Sequence, residues 1–266
     1  MFYEKYLKAS KEKDSVININ LDPALPQQRK ENVVPERYLS KEDSETLLNF
    51  SLDIIEQVSD YCCSIKPNTQ YYLHHTNILE KIVEKTHKEG MLAILDHKLS
   101  DIGPSNSSAL YWIKDMGFDA FTFSPFAGNM QITVEKAHEK NLGVIVLTLM
   151  SNPEAEKMMV HTKVNEYPYY LHTAKMVKEV EADGCVVGLT CFVEDEYIKN
   201  IQNVVGDNVV FLLQGIGPQG GEANKIKYVR NPLMSLGRAV IYSGDPREAI
   251  QGYNDTLKKY KRHRKN

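Results

Sequence analysis

Apolar residues along this chain fall into eight short, β-prone runs, most of them followed by a stretch with helical spacing. In the first run, 16–22, Ile17, Ile19 and Leu21 alternate with Asn18, Asn20 and Asp22, so a strand here carries one polar face. Residues 23–40 lack periodicity and contain Pro23, Pro26 and Pro35, which reads as a long loop. Ser40-Lys41-Glu42-Asp43 has the form of a capping box, and the helix behind it is expected to bury Leu48, Leu52, Ile55 and Val58. A second strand is predicted over 61–66, closed by Pro67, and then a helix over 72–88 that buries Ile78, Leu79, Ile82 and Val83 and stops at Gly90. The third run, 91–95, drives into Asp96-His97-Lys98. Helix 105–116, strand 118–123, helix 129–140 and strand 143–149 follow, and then a polar loop over 152–168. Helix 169–181 leads to strand 184–190. Strand 208–213 opens into a glycine-rich stretch over 214–221, and a short strand at 232–236 meets Gly237-Arg238. Asp245-Pro246-Arg247-Glu248 starts the last helix with an N-cap, a proline at the first position and an acid at the third.

Eight strand–helix units in a chain of 266 residues fit a single-domain α/β protein, a (β/α)8 TIM barrel over 1–266 with a basic C-terminal tail at about 258–266. A doubly wound open sheet is the competitor. It usually carries its phosphate loop after the first strand, where Asp22-Pro23 stands here. The glycine-rich stretch instead follows strand seven, where barrels often bind phosphate.

Composition narrows the setting. A net charge of -3 gives no bulk attraction to nucleic acid or to an anionic membrane. No run of about 18 apolar residues exists to span a bilayer, and the first residues lack the basic-then-apolar order of a secretion signal. The four cysteines, Cys62, Cys63, Cys185 and Cys191, form no CxxC pair or Cys/His cluster. A reduced, cytoplasmic enzyme is expected. The basic tail reads as a solvated terminus, and His74, His75, His87, His97 and His138 as surface or structural histidines.

The candidate chemistry lies at strand ends. Asp22, Lys66, Asp96 and Lys98 all fall at predicted C-terminal ends, which converge on one face of a barrel. Asp96 and Lys98 are two apart, so a regular strand puts them on one face and His97 on the other. In such an array each lysine keeps neighbouring carboxylates ionised and is kept protonated by them, which suits a reaction that moves negative charge on the substrate. The glycine-rich stretch can offer backbone N–H groups, and Arg238 a guanidinium, to a phosphate.

Asp96-x-Lys98-x-x-Asp101-Ile102, followed by Ser105, resembles the signature of the orotidine 5′-phosphate decarboxylase family, in its branch with a longer first loop. The resemblance extends through Leu21-Asp22-Pro23, Lys66-Pro67-Asn68, 147–153, 215–221 and 235–242. It implies a homodimeric barrel that converts orotidine monophosphate (OMP) to UMP and CO2 without metal or organic cofactor. Lys98 would protonate C6 of the pyrimidine, Asp96 would face the departing carboxylate, and Lys66 and Asp101 would complete the charge array. Asp101, Ile102 and Ser105 would reach the partner subunit's site. Asp22 would bind the ribose and Ser151 the pyrimidine, while Gln219 and Arg238 would hold the phosphate beside backbone groups near Gly237. Two positions depart from the usual family pattern: Ser105 stands for threonine, and Gln214 for the proline before Gly215. Two rivals remain at this point, a metal-dependent decarboxylase or aldolase acting on a sugar phosphate, and a catalytically silent nucleotide-binding barrel.

Overall fold

The computed structural model describes residues 1–215 and 223–262, with side chains to 260. Eight parallel strands close into a barrel: β1 (Ile17–Leu21), β2 (Ser64–Pro67), β3 (Leu92–Leu99), β4 (Ala120–Phe123), β5 (Gly143–Leu149), β6 (Gly184–Gly188), β7 (Val210–Gln214) and β8 (Asn231–Leu236). Each strand pairs with its sequence neighbours, and β1 closes the ring on β8 with Ile17 opposite Met234 and Asn18 opposite Ser235. The major helices are α1 (Phe2–Glu12), α2 (Asp43–Val58), α3 (Leu79–Lys88), α4 (Gly103–Asp115), α5 (Met130–Glu139), α6 (Tyr169–Glu179), α7 (Asp195–Val205) and α8 (Pro246–Arg262). The expected (β/α)8 barrel is the observed fold.

The core has two parts, as alternation on barrel strands requires. Ile17, Ile19 and Leu21 belong to the large cluster shared with α2, α3 and the other surrounding helices. A second cluster joins Cys63, Leu92, Ile94, Ala120, Ile145, Val186, Leu212 and Leu233 to Phe2, Tyr6 and Ala9 of α1. Helix α1 thus closes the N-terminal end of the barrel. Tyr6 donates to the Pro232 carbonyl at 2.7 Å, and the Lys5 ammonium lies 2.7 Å from Asp119. Phe2 sits so close to Gly143 that a Cβ there would come within 2.4 Å of it. This helix was not predicted. Its apolar face is narrow, and the surface that buries it comes from strands far along the chain. Sealing that end leaves the C-terminal end as the barrel's open mouth.

Three other expectations needed correction. Helix α2 begins at Asp43 with Glu42 at its N-cap, so Ser40 does not cap it; Ser40 bonds the Glu45 carboxylate and donates its N–H to the Thr46 hydroxyl at 2.8 Å. The helix buries Leu47, Phe50, Ser51, Ile54, Ile55 and Val58, while Leu48 and Leu52 are half-buried. Phe50 packs edge-on against Tyr38 and is stacked on Tyr242, and these distant aromatic partners set the rotation of the helix. Second, the single helix predicted over 72–88 is three pieces. Asn68 caps a turn at Thr69–Tyr72, a 3-10 turn spans Thr76–Ile78, and only then does α3 run. Third, the polar loop 152–168 carries structure of its own, with helical turns at Pro153–Ala155 and Glu156–His161 and a ribbon pairing Lys163–Val164 with Tyr167–Pro168. Helix α8 continues through the first part of the basic tail to Arg262.

Candidate active site

Three strand ends build the charged centre. Lys66 on β2 is 1% exposed, and its ammonium is paired with Asp96 Oδ2. Asp96 Oδ1 receives the Lys98 ammonium at 2.7 Å and the Thr122 hydroxyl at 3.0 Å. The same Thr122 oxygen accepts the Lys98 backbone N–H at 2.9 Å. Both Asp96 oxygens therefore have partners. Burial alone would raise its pKa, but the charges and hydrogen bonds of Lys66 and Lys98 outweigh that and hold it at about 2. The carboxylate is ionised at any pH near neutrality.

Simple strand alternation does not bring Asp96 and Lys98 together. Lys98 has φ +53, in the left-handed region, and the β3–β4 register shifts between Leu95 and Leu99. A non-glycine residue held there costs roughly 1–2 kcal/mol. The hydrogen bond from Lys98 N–H to Thr122 and the ion pair with Asp96 maintain the conformation. The side chain of Lys98 is 40% exposed, whereas that of Lys66 is buried, so of these two lysines only Lys98 is accessible from outside the barrel.

Asp22 follows β1 directly. Its Oδ1 is buried and has no hydrogen-bond partner among the described residues. Desolvation raises its pKa above 3.8, opposed by Lys66, reinforced by Asp96, and opposed again by Lys98 and Arg29. Asp22, Lys66, Asp96 and Lys98 therefore form one electrostatic unit. Because folding raises this carboxyl's pKa, its charge costs stability above 3.8, and the cost vanishes at lower pH, where it is protonated in both folded and unfolded states. Asp22→Asn is accordingly expected to raise the melting temperature of the ligand-free protein by a few degrees at pH 7–8. The gain should close as pH falls toward about 4. Thermal unfolding across that range checks this; a lower melting temperature at neutral pH would contradict it.

Beneath the charges lies a polar layer. Asn18 is fully buried and donates to Asn20 Oδ1 and Ser235 Oγ, both at 3.0 Å, while Ser64 donates to Asn18 Oδ1 at 2.9 Å. Gly237 borders this layer, since a Cβ there would lie 3.4 Å from that of Asn20. Arg238 is exposed at the start of the short helix Arg238–Ile241.

Just beyond the ends of β5 and β6, Thr190 donates to Ser151 at 3.2 Å. Two glycines permit this contact. A Cβ on Gly188 would fall 2.4 Å from that of Ser151, and one on Gly215, whose φ is +99, would lie 2.9 Å from Thr190. Lys225 ties down the same loop by donating to the carbonyls of Leu189 at 2.6 Å and Val193 at 3.1 Å. Gln214 ends β7, and its carbonyl accepts the Leu189 N–H at 2.8 Å. Gln219, Gly217, Gly220 and Gly221 lie outside the described residues.

Asp101, Ile102 and Ser105 do not join the array within this chain. All three are exposed, Ile102 by 62%. Asp101 accepts its neighbour Ile102's N–H at 2.7 Å, and its carbonyl accepts from Asn129 at 2.9 Å. The Nδ1 of His97 is buried and has no hydrogen-bond partner among the described residues, and burial lowers the pKa of the ring. His87 and His138 pair with Asp119 and Asp183, each at 2.9 Å. Among the described residues, no three His, Cys, Asp or Glu side chains gather as a metal-binding group, and no helix is long and apolar enough to cross a membrane. Sequence reasoning missed Thr122, Thr190, Lys225 and Tyr242. The only cue for the first two was their place at strand ends.

The model of a family described as orotidine 5′-phosphate decarboxylase / HUMPS matches residues 43–253. The orotidine 5′-phosphate decarboxylase of Christiangramia forsetii is 31% identical over 250 residues, covering 88% of this chain and 86% of that protein. That of Bordetella pertussis is 29% identical over 280 aligned positions, covering 96% and 97%. Among solved structures, the orotidine 5′-monophosphate decarboxylase of Plasmodium berghei is similar with a TM-score of 0.83 at 19% identity, covering all of both chains. The Leishmania donovani OMP decarboxylase gives 0.79 at 18%, covering 97% and 98%. At those identities the structures speak for the fold.

Proposed function

This chain belongs to the orotidine 5′-phosphate decarboxylase / HUMPS family, and on that premise we propose that it converts OMP to UMP and CO2, in UMP biosynthesis, at the Lys66–Asp96–Lys98 array. The observation that carries the assignment of roles is the inequality of the two lysines. Lys66 is the buried counter-ion that fixes Asp96 from behind, and Lys98 is the cation turned to the mouth.

The chemistry follows from these charges. Breaking the bond between C6 and the carboxylate leaves an electron pair on C6 while CO2 departs. An ammonium held in place before the reaction stabilises that developing charge without reorganisation. Lys98 then transfers a proton to C6, giving the C–H bond of UMP, and regains one from solvent. Asp96 serves as the fixed anion. It orients the Lys98 ammonium through their ion pair, and it faces the substrate carboxylate, whose departure removes a like charge. Thr122 holds both partners through one hydroxyl. Asp22 binds the ribose with its open acceptor. Ser151, backed by Thr190, hydrogen-bonds the pyrimidine. Arg238, Gln219 and the backbone near Gly237 hold the phosphate, whose binding energy can be used at the distant reacting carbon.

Asp101, Ile102 and Ser105 are exposed at the loop and helix start after β3. That placement supports a homodimer in which each chain lends them to the partner's site. Ser105 keeps the hydroxyl that threonine usually supplies. The reaction so described needs neither metal nor organic cofactor, and a cytoplasmic setting suits it.

The test is the ultraviolet absorbance of OMP after addition of purified protein, with and without a chelator. The expected result is a fall that survives chelation and yields UMP. Loss of activity on chelation would move the chain to a metal-dependent sugar-phosphate reaction. UMP binding without turnover of OMP would make it a silent barrel.

A further inference from the structure

We propose that Tyr242 is a positioning residue for the substrate: its hydroxyl fixes the end of β1 and so sets Asp22 in place. The proposal rests on the reading of Asp22 as the ribose-binding carboxylate.

Tyr242 follows the short helix that begins at Arg238. Its hydroxyl donates to the Asp22 carbonyl at 2.9 Å and accepts the Ala24 N–H at 2.8 Å and the Arg29 guanidinium at 3.2 Å. A phenol has one proton to give and two lone pairs to fill, so its capacity is used in full. The ring is stacked on Phe50 at 5.7 Å between centroids, and the Arg29 guanidinium lies 5.5 Å from the Tyr242 ring and 5.8 Å from that of Tyr71. Burial raises the pKa of the phenol, which keeps its proton available for donation.

These contacts tie the long, proline-containing loop after β1 to the barrel. Val34 N–H donates to the Ala24 carbonyl at 2.8 Å, closing the neck of the loop, and Arg29 clamps it between two tyrosines. The same hydroxyl that holds this neck holds the backbone of Asp22. The Asp22 carboxylate is left with a buried oxygen that no group among the described residues satisfies. Tyr242 thus joins the strand end that carries Asp22 to the segment that carries Arg238, the two ends that would hold ribose and phosphate.

The experiment is a double-mutant cycle on kcat/KM for OMP, using wild type, Tyr242→Phe, Asp22→Ala and the double variant. Phenylalanine keeps the ring on Phe50 and beneath Arg29 and removes only the hydroxyl. The expected loss for Tyr242→Phe is about tenfold, the equivalent of one well-placed hydrogen bond. Asp22→Ala should lose more, and the double variant should match Asp22→Ala within about twofold, because Tyr242 acts through Asp22. A purely structural role would instead multiply the two losses. Multiplied losses, or an unaffected Tyr242→Phe, overturn the positioning role while leaving Asp22 as a ligand. Wild-type kcat/KM in Asp22→Ala overturns the ribose reading and the positioning role with it. Should Tyr242→Phe fail to fold, Arg29→Met removes one of the three bonds; its smaller loss should likewise disappear in the Asp22→Ala background, and multiplication there overturns the proposal.

Discussion

Lys98→Ala is expected to lower turnover of OMP by at least about 10⁴-fold while leaving a folded barrel that still binds UMP. Two contributions are lost together. A positioned general acid is worth about 10²–10⁴, and a fixed charge aimed at the developing carbanion about 10²–10³. The fold should tolerate the change, because the Lys98 side chain is 40% exposed and Asp96 keeps its bonds to Lys66 and Thr122. Alanine takes a φ of +53 no more easily than lysine, so the backbone strain is unchanged. Single-turnover kinetics beside a UMP titration separate the effects, and Arg238→Ala is the useful contrast, since it should mainly weaken binding. Turnover within tenfold of wild type in Lys98→Ala would remove the proton-donor role.

Asp96→Ala is expected to damage stability as well as activity. The substitution leaves the Lys66 ammonium, 1% exposed, without its carboxylate. Breaking a buried pair on one side costs about 3–5 kcal/mol, which in a domain of this size lowers the melting temperature by on the order of 10 °C. Asp22 softens the loss, because its carboxylate interacts with the same two lysines. The double variant Asp96→Ala/Lys66→Met should recover much of the stability and none of the activity. That separation shows whether the array is kept for folding or for chemistry. An unchanged melting temperature in Asp96→Ala would contradict the pairing described above. In the wild-type protein the direction with pH is also fixed. A carboxyl whose pKa is lowered from 3.8 to about 2 contributes stability above 3.8 and loses it only as pH falls through about 2. Mild acid leaves this pair intact.

The barrel was legible because its strands are short apolar runs bounded by glycine, proline or charge, and that signal is local. The run at Gly143–Leu149 is the clearest case, matching its strand end to end. The charged strand ends were legible for the same reason, since Asp22, Lys66, Asp96 and Lys98 each interrupt or close an apolar run. What escaped depends on partners distant in sequence. Helix α1 is helical because Phe2 and Tyr6 find the barrel floor, and the rotation of α2 follows Phe50 onto Tyr242. The twist at Lys98 is set by a threonine on the neighbouring strand, which no spacing rule on β3 reveals. Tyr242 shows the same limit. Its bonds to Asp22, Ala24 and Arg29 join the two ends of the chain, and nothing near residue 242 in sequence announces them.

The proposed placement of the Lys98 ammonium over the reacting carbon is tested most directly on the product. Proton transfer to C6 run backwards removes the C6 hydrogen of UMP, so UMP kept in D2O with the protein should exchange that hydrogen faster than in buffer, seen as loss of its proton NMR signal. The expected result is exchange with wild type that falls to the buffer rate in Lys98→Ala, although UMP still binds. Equal exchange in the two proteins would contradict the mechanism.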